Sequence, residues 1–504
     1  MMKKITAFLL VFCMFLSLAG CKDPGADDSG ISEDGAVNFI FYTHGAAAAT
    51  KEPKYQKEVL AKINEKLQAE LGFKVNIRVV SYADDMFQQK VMLDLSAKKP
   101  IDFIRFTQPT SQLADLYAKH MILDLTPYIE KAENLKANIP ESVWKEVTCD
   151  GKILAIPMPV FQTTVTGWTR GDLLQAAGLD SITTLEEFET YLKYIKANNP
   201  EMTPYMAPLA NIESYILGCF TDTPGSFVDD SGNIKPHIYD PGYKEFVAKL
   251  ADWYAHGLID DSVFNLDENK AIDIFGKGMS GVIGVNIWQQ QYGTLSAVTQ
   301  ANPNWDIKFL SPLTDVQKYP SGGLATEFLT IAATSKNPEK AVQFADWLMY
   351  NEENYRLVMS GIEGMTYEIG EENGNEVLKA PASEGDVSIL DLYQGLFVGY
   401  NGEYNNRYAN PGTPSESIRA YKECSSIPLD KIYVPITNYY AVEIPTGTAL
   451  ARQDADAMVA EYVQHMIQGR RPLSDWDKML NAYEAMGGLE AFQLYTEEMN
   501  RQNG

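Results

Sequence analysis

The sequence predicts an α/β fold built on a mostly parallel sheet. Two observations predict it. Short apolar runs alternate with segments whose apolar residues recur at helical spacing, and after residue 36 the order reads strand, helix, strand, helix, strand. Sheets of this kind take ligands beyond the carboxyl ends of their strands, so residues just past those ends are the first candidates for a site.

Val37 to Tyr42 is a short apolar strand, and Tyr55 to Leu71 places Leu60, Ile63, Leu67 and Leu71 on one helical face. Lys74 to Val80 alternates, with Val75, Ile77 and Val79 on one side. A helical pattern over Asp84 to Lys98 leads to a strand at Ile101 to Phe106, and another helix begins near Thr110. Asp150-Gly151-Lys152 is a turn feeding a strand that ends around Pro157. Beyond Pro157, Thr183 or Thr184 caps a helix with Glu186 and Glu187 as capping-box partners, and Leu185, Phe188, Leu192 and Ile195 form its buried face. A turn at Phe275-Gly276-Lys277-Gly278 precedes a strand at Val282 to Val285, and a further strand spans Leu329 to Ala332. Asn337-Pro338 opens a helix with Val342, Ala345, Leu348 and Met349 as its stripe. From Gln453 to Arg501 the chain reads as helical, punctuated by Gly469 and by Gly487-Gly488. Between Gly370 and Thr448 the periodicity is weak and no element is assigned.

The start of the chain reads as an export signal over residues 1–20: Lys3 and Lys4 precede an apolar run from Ala7 to Leu18. That run is shorter than the ~18 residues of a membrane-spanning helix. It ends in Leu18-Ala19-Gly20-Cys21, which resembles the lipobox of bacterial lipoproteins. The resemblance implies that the leader is removed and that Cys21 carries the lipid, anchoring an extracytoplasmic protein to the cell membrane. The alternative is an ordinary signal peptide that happens to precede a cysteine. Residues 21–36, rich in Gly, Ser and Asp, read as a flexible tether.

The formal net charge is −25 at pH 7, with 67 acidic and 42 basic residues, and loss of the leader makes it more negative. Such a chain is repelled by phosphate backbones, so nucleic acid is excluded as a partner. Of the five cysteines, Cys149, Cys219 and Cys424 remain once Cys13 and Cys21 are set aside. Their spacing fits neither a zinc site nor a redox motif, at most one disulfide is possible, and buried free thiols are the expectation.

Five segments in order carry a wider resemblance: Asp102 to Phe106 with Leu123-Asp124-Leu125-Thr126; Asp150 to Pro157; Phe275 to Met279; Ser335 to Ala341; and Gly361-Ile362-Glu363-Gly364. Together with the lipobox they resemble extracellular solute-binding lipoproteins of carbohydrate ABC importers, the longer type of the maltose-binding-like family. The resemblance implies a two-lobed periplasmic-binding-protein-like fold of type II-like form, with crossover strands joining the lobes and a helical C-terminal segment. It puts residues 37–157 and roughly 308–350 in one lobe, and 158–307 and roughly 351–504 in the other. It also implies a monomer that binds a small molecule, an oligosaccharide, and hands it to ABC permease subunits.

A sugar site needs aromatic platforms beside planar amides and carboxylates. Candidates past strand ends are Thr43-His44 and Phe106-Thr107-Gln108; the resemblance adds Phe161-Gln162 and Trp288-Gln289 at positions used by relatives. Glu327 precedes a strand, and Trp168 lies where the family runs a strand with an outward aromatic. Tyr400 has suitable chemistry without a placement. For each aromatic, packing in the core is the competing reading. Trp144, Trp253, Trp305, Trp347 and Trp476 are expected in the core.

Enzyme chemistry has little footing. Gly276 to Gly281 matches a dinucleotide fingerprint by letter, but a helix precedes it and a strand follows, the reverse of what that motif requires. There is no Gly-x-Ser-x-Gly, and His44, His120, His237, His256 and His465 are scattered. No cofactor or metal is expected. Two carboxylates across a cleft are all a glycosidase needs, so an exported sugar-active enzyme stays open beside a peptide-binding or sensory receptor on the same fold.

Overall fold

The computed structural model describes residues 30–503 apart from 33–34, 46–51, 108–109, 159–164, 291–292, 326, 373, 397–398 and 400. In chain order the elements that position the site are β1 (Val37–His44), α1 (Gln56–Glu70), β2 (Val75–Tyr82), α2 (Asp84–Ser96), β3 (Phe103–Phe106), β4 (Ile156–Met158), β5 (Val165–Arg170), α3 (Leu185–Asn198), β6 (Thr203–Met206), α4 (Pro241–Ala255), α5 (Glu268–Gly276), β7 (Ser280–Asn286), β8 (Ile307–Leu310), β9 (Glu327–Ile331), α6 (Pro338–Met349), α7 (Glu352–Met359), α8 (Ser415–Ser425), α9 (Thr446–Ile467), α10 (Trp476–Ala485) and α11 (Glu490–Asn503).

In the first sheet β1 is central, parallel to β2 along its whole length and to β3 through Phe41↔Phe103 and Tyr42↔Ile104. Burial on both faces of β1 explains its near-continuous apolar run. The returning strand β9 inserts antiparallel between β3 and β4. Pro157 sits in β4 opposite Phe328, at the end of the sheet's strand order, where a missing N–H breaks no inner ladder. In the second sheet the order is β8-β5-β7-β6: β5 is antiparallel to β7 and β8, and only β6 and β7 run parallel. The expectation of a mostly parallel arrangement thus holds for β1, β2 and β3 and fails here, because the chain enters the second sheet as a strand without a preceding crossover helix.

The chain crosses from the first sheet to the second after Met158 and returns between Leu310 and Glu327. Lys308–Leu310 pairs with Thr169–Gly167 of β5, so these residues belong to the second lobe rather than to the first, where the resemblance puts them. From residue 351 the second lobe is expected, yet α7 packs on α6 and α1 of the first. The supposed tether is also ordered at its end: Gly30 and Ile31 pair antiparallel with Asn38 and Val37, and Ser32 Oγ donates to the Ala36 carbonyl at 2.9 Å. Residues 1–29, including the leader and Cys21, lie outside the described residues.

The C-terminal helices follow the predicted punctuation, with Gly469 and Gly487 at positive φ of 68° and 85°. Helix α9 packs on α4, while α10 and α11 pack on α9. Cys149, Cys219 and Cys424 are free thiols. Among the described residues no helix is long and apolar enough to cross a membrane.

Candidate functional site

A cleft of about 940 Å³ opens between the lobes. From the first lobe it is lined by Arg105 at the end of β3, by Tyr355, Arg356 and Ser360 on and after α7, and by parts of the 378–411 segment. From the second lobe come Trp288, just past β7, and Ile418 and Tyr421 on α8.

The second-lobe wall is an aromatic pair. The rings of Trp288 and Tyr421 lie 4.7 Å apart between centroids at an interplanar angle of 40°. The placement of Trp288 depends on Glu268 in the first turn of α5. Its Oε1 accepts N–H donors from the Asn286 backbone at 3.0 Å and Asn211 Nδ2 at 2.8 Å, and its Oε2 accepts from Gln289 Nε2 at 3.0 Å. The Trp288 N–H in turn donates to Asn286 Oδ1 at 3.0 Å, fixing the turn that carries the indole. Helix α8 is held against β8 by Arg419, which stacks 4.9 Å over the Phe309 ring and donates to the Phe309 carbonyl and Glu416.

The first-lobe wall presents a charge pair. Arg105 Nε donates to Glu327 Oε2 at 2.7 Å and Arg105 Nη2 to Glu327 Oε1, a two-pronged contact across the antiparallel strands β3 and β9. Glu327 therefore orients the guanidinium that faces the cleft.

The predicted residues divide accordingly. Trp288 lines the cleft; Gln289 stands behind it, bonded to Glu268. Glu327 holds Arg105. Phe106 does not reach the cleft: it is 1 % exposed and packs edge-on against Phe87 at 6.1 Å. Adjacent strand residues point to opposite faces, so with Arg105 toward the cleft Phe106 must enter the core. Trp168 is likewise no ligand contact. It is 0 % exposed and packs T-shaped against Phe309 at 5.4 Å, because β5 is an inner strand with helices over that face. Thr43 is buried, His44 packs edge-on to Phe87 at 5.4 Å, and the exposed Thr107 is not among the cleft residues. Gln108, Phe161, Gln162 and Tyr400 lie outside the described residues. Sequence reasoning missed Arg105, Arg356, Tyr408 and Tyr421. A signal for Tyr421 existed: Pro414-Ser415 followed by Ile418, Tyr421 and Cys424 at helical spacing.

Among the described residues no cluster of His, Cys, Asp or Glu has the geometry to hold a metal ion.

Two α/β lobes, joined by crossing segments and sharing a cleft lined from each, are the architecture of solute-binding proteins. The chain belongs to the family of bacterial extracellular solute-binding proteins, whose model matches residues 60–366. It is 24% identical over 293 residues to lipoprotein LipO of Bacillus subtilis, a match covering 54% of this chain and 57% of LipO, little more than half of that relative's length. Among solved structures it is similar to the N-glycan transport solute-binding protein NgtS of Streptococcus pneumoniae (19% identity, 92% of this chain and 98% of that one, TM-score 0.58). It is also similar to an HMO-binding, ABC-transporter-associated solute-binding protein of Bifidobacterium longum infantis (17% identity, 92% and 98%, TM-score 0.60). At these identities the likeness establishes the fold.

Proposed function

We propose that this protein is a lipid-anchored receptor on the outer side of the cell membrane that captures an oligosaccharide between its closing lobes. It then delivers the sugar, chemically unchanged, to the permease of an ABC importer. One observation carries the reading: the Trp288–Tyr421 pair of one lobe and Arg105 of the other, held by Glu327, line the same cleft. An aromatic face stacks on the apolar C–H face of a sugar ring, and an oriented guanidinium supplies hydrogen-bond donors to its hydroxyls. A cleft of about 940 Å³ is at the upper end of small-molecule sites, which supports a ligand of several rings. The glycan-binding solved relatives support the ligand class, and the lipoprotein relative and the Leu18-Ala19-Gly20-Cys21 sequence support the anchor.

Closure follows if the ligand prefers the closed form, since equal affinity for open and closed forms shifts nothing. The test is a thermal-shift screen of the leaderless protein against mono- and oligosaccharides with peptides as controls. Each hit is followed by small-angle scattering and by chromatography of the recovered ligand. The expected result is a saccharide that raises the melting temperature, compacts the protein and is recovered intact. Product release identifies a sugar-active enzyme instead, a peptide hit with compaction identifies a peptide receptor, and a particle unchanged by every candidate overturns capture by closure.

A further inference from the structure

The cleft is opposite in charge to the chain around it. The protein has 67 acidic and 42 basic residues, yet among the described residues the charged side chains lining the cleft are Arg105, Arg356 and Lys379 against Asp386 alone. Arg105 and Lys379 each have an acid behind them, Glu327 for the former and Glu368 at 3.2 Å for the latter. Arg356 is placed differently. The residue is 9 % exposed, its Nη2 donates to the Tyr404 carbonyl at 2.8 Å, and its guanidinium stacks 4.6 Å over the Tyr408 ring. The Glu352 carboxylate stands 4.0 Å from Arg356 Nη2 but is bonded at 2.6 Å to Arg407 Nη1. One carboxylate is thus shared between two guanidinium groups, and its direct hydrogen bonds go to Arg407.

A guanidinium has five donors and stays charged inside proteins. Burial pulls the Arg356 pKa down, but from so high a value that the cation persists. Withdrawing such a charge from water is costly unless an acceptor completes it, and the open side of Arg356 is the cleft. Ser360, one helical turn on, also lines the cleft beside it.

We propose that the ligand is an acidic oligosaccharide: a carboxylate on one ring binds Arg356, while another ring stacks on the Trp288–Tyr421 pair. The proposal rests on the oligosaccharide reading and narrows it. Lys379 adds attraction at the exposed rim, and Asp386 on the same rim subtracts from it. The selectivity resides in Arg356, whose burial leaves it little solvent, so that a charge-assisted contact outweighs a hydroxyl.

The test is calorimetric titration of the leaderless protein with matched pairs: oligogalacturonates against galacto-oligosaccharides, and oligomannuronates against manno-oligosaccharides, at low and high salt. The acidic member of at least one pair should bind at least tenfold more tightly than its neutral counterpart, with the preference shrinking as salt rises. Arg356→Gln should reduce that preference to threefold or less. Because Arg356 is buried, its variant is checked for an unchanged melting temperature. Lys379→Gln at the rim gives a second reading, with a two- to threefold loss of the preference. If neutral sugars bind as tightly as their acidic counterparts, the carboxylate subsite is wrong while sugar capture stands. If no sugar of either kind binds, both fall.

Discussion

Arg105 and Phe106 are neighbours in sequence with opposite fates, one in the cleft and one in the core. Strand parity decides this, and parity is set only when the strand's register against β1 and β9 is fixed. Trp288 differs, because it follows a strand end where the backbone turns under the control of Glu268. Trp288→Ala should weaken ligand binding at least tenfold, about 1.4 kcal/mol, with an unchanged melting temperature; calorimetry showing full affinity would remove Trp288 from the site. Glu146 acts at the return crossing. It is 2 % exposed and accepts N–H donors from Leu324 at 2.7 Å and Ala325 at 3.1 Å. Burial pushes its carboxyl up to about 7 from the usual 4.5. The folded state therefore holds a proton that the unfolded chain releases between those values, so this group's contribution to stability is present at low pH and is lost as pH rises through about 7. His237, pulled down to about 4 by burial, contributes with the opposite slope between pH 4 and 6.5, so the effect is read as a difference. The stability of the wild type relative to Glu146→Gln should fall by on the order of 2–3 kcal/mol between pH 4.5 and 7.5. An unchanged difference between wild type and Glu146→Gln at the two pH values would show that Glu146 does not titrate there.

Elements bounded by local chemistry are legible in the order of the residues alone. Helix α3 begins where its capping box places it: Thr184 Oγ1 accepts the Glu187 N–H at 3.2 Å, and Glu187 Oε2 accepts from the Thr184 N–H at 3.3 Å. Thr184→Ala should cost about 1 kcal/mol in urea denaturation of the leaderless protein, and a loss below a few tenths would mean the cap is idle. The Asp150-Gly151 turn is equally local. Its φ values of 49° and 73° are the pair that a two-residue hairpin between Thr148–Cys149 and Lys152–Ile153 requires, and glycine supplies one at no steric cost. Gly278, at a φ of 73°, closes the turn after α5, so the dinucleotide-like spacing belongs to a helix-to-strand connection. Helix α8 has a legible apolar spacing, but its role is harder to read because its partners Trp288 and Phe309 lie more than a hundred residues upstream.

At the scale of the whole molecule, the anchor and the cleft make separate demands. The proposed lipid on Cys21 would hold the chain at a membrane without constraining its lobes. Cys21→Ser should move the protein from the membrane fraction to the soluble fraction without altering ligand affinity. Tight membrane association in that variant would contradict the anchor. Outside residues 370–448, many strands and helices, with their caps and punctuation, were written in the sequence, since each depends on residues within a few positions of one another. The sequence also carried a family resemblance strong enough to imply two lobes and a cleft. Which face of β3 meets the ligand, how Glu327 comes to hold Arg105, and why Tyr421 joins Trp288 were decided only by tertiary structure. Those contacts join residues separated by 133 to 222 positions, and nothing in local spacing determines which distant side chains packing will bring together.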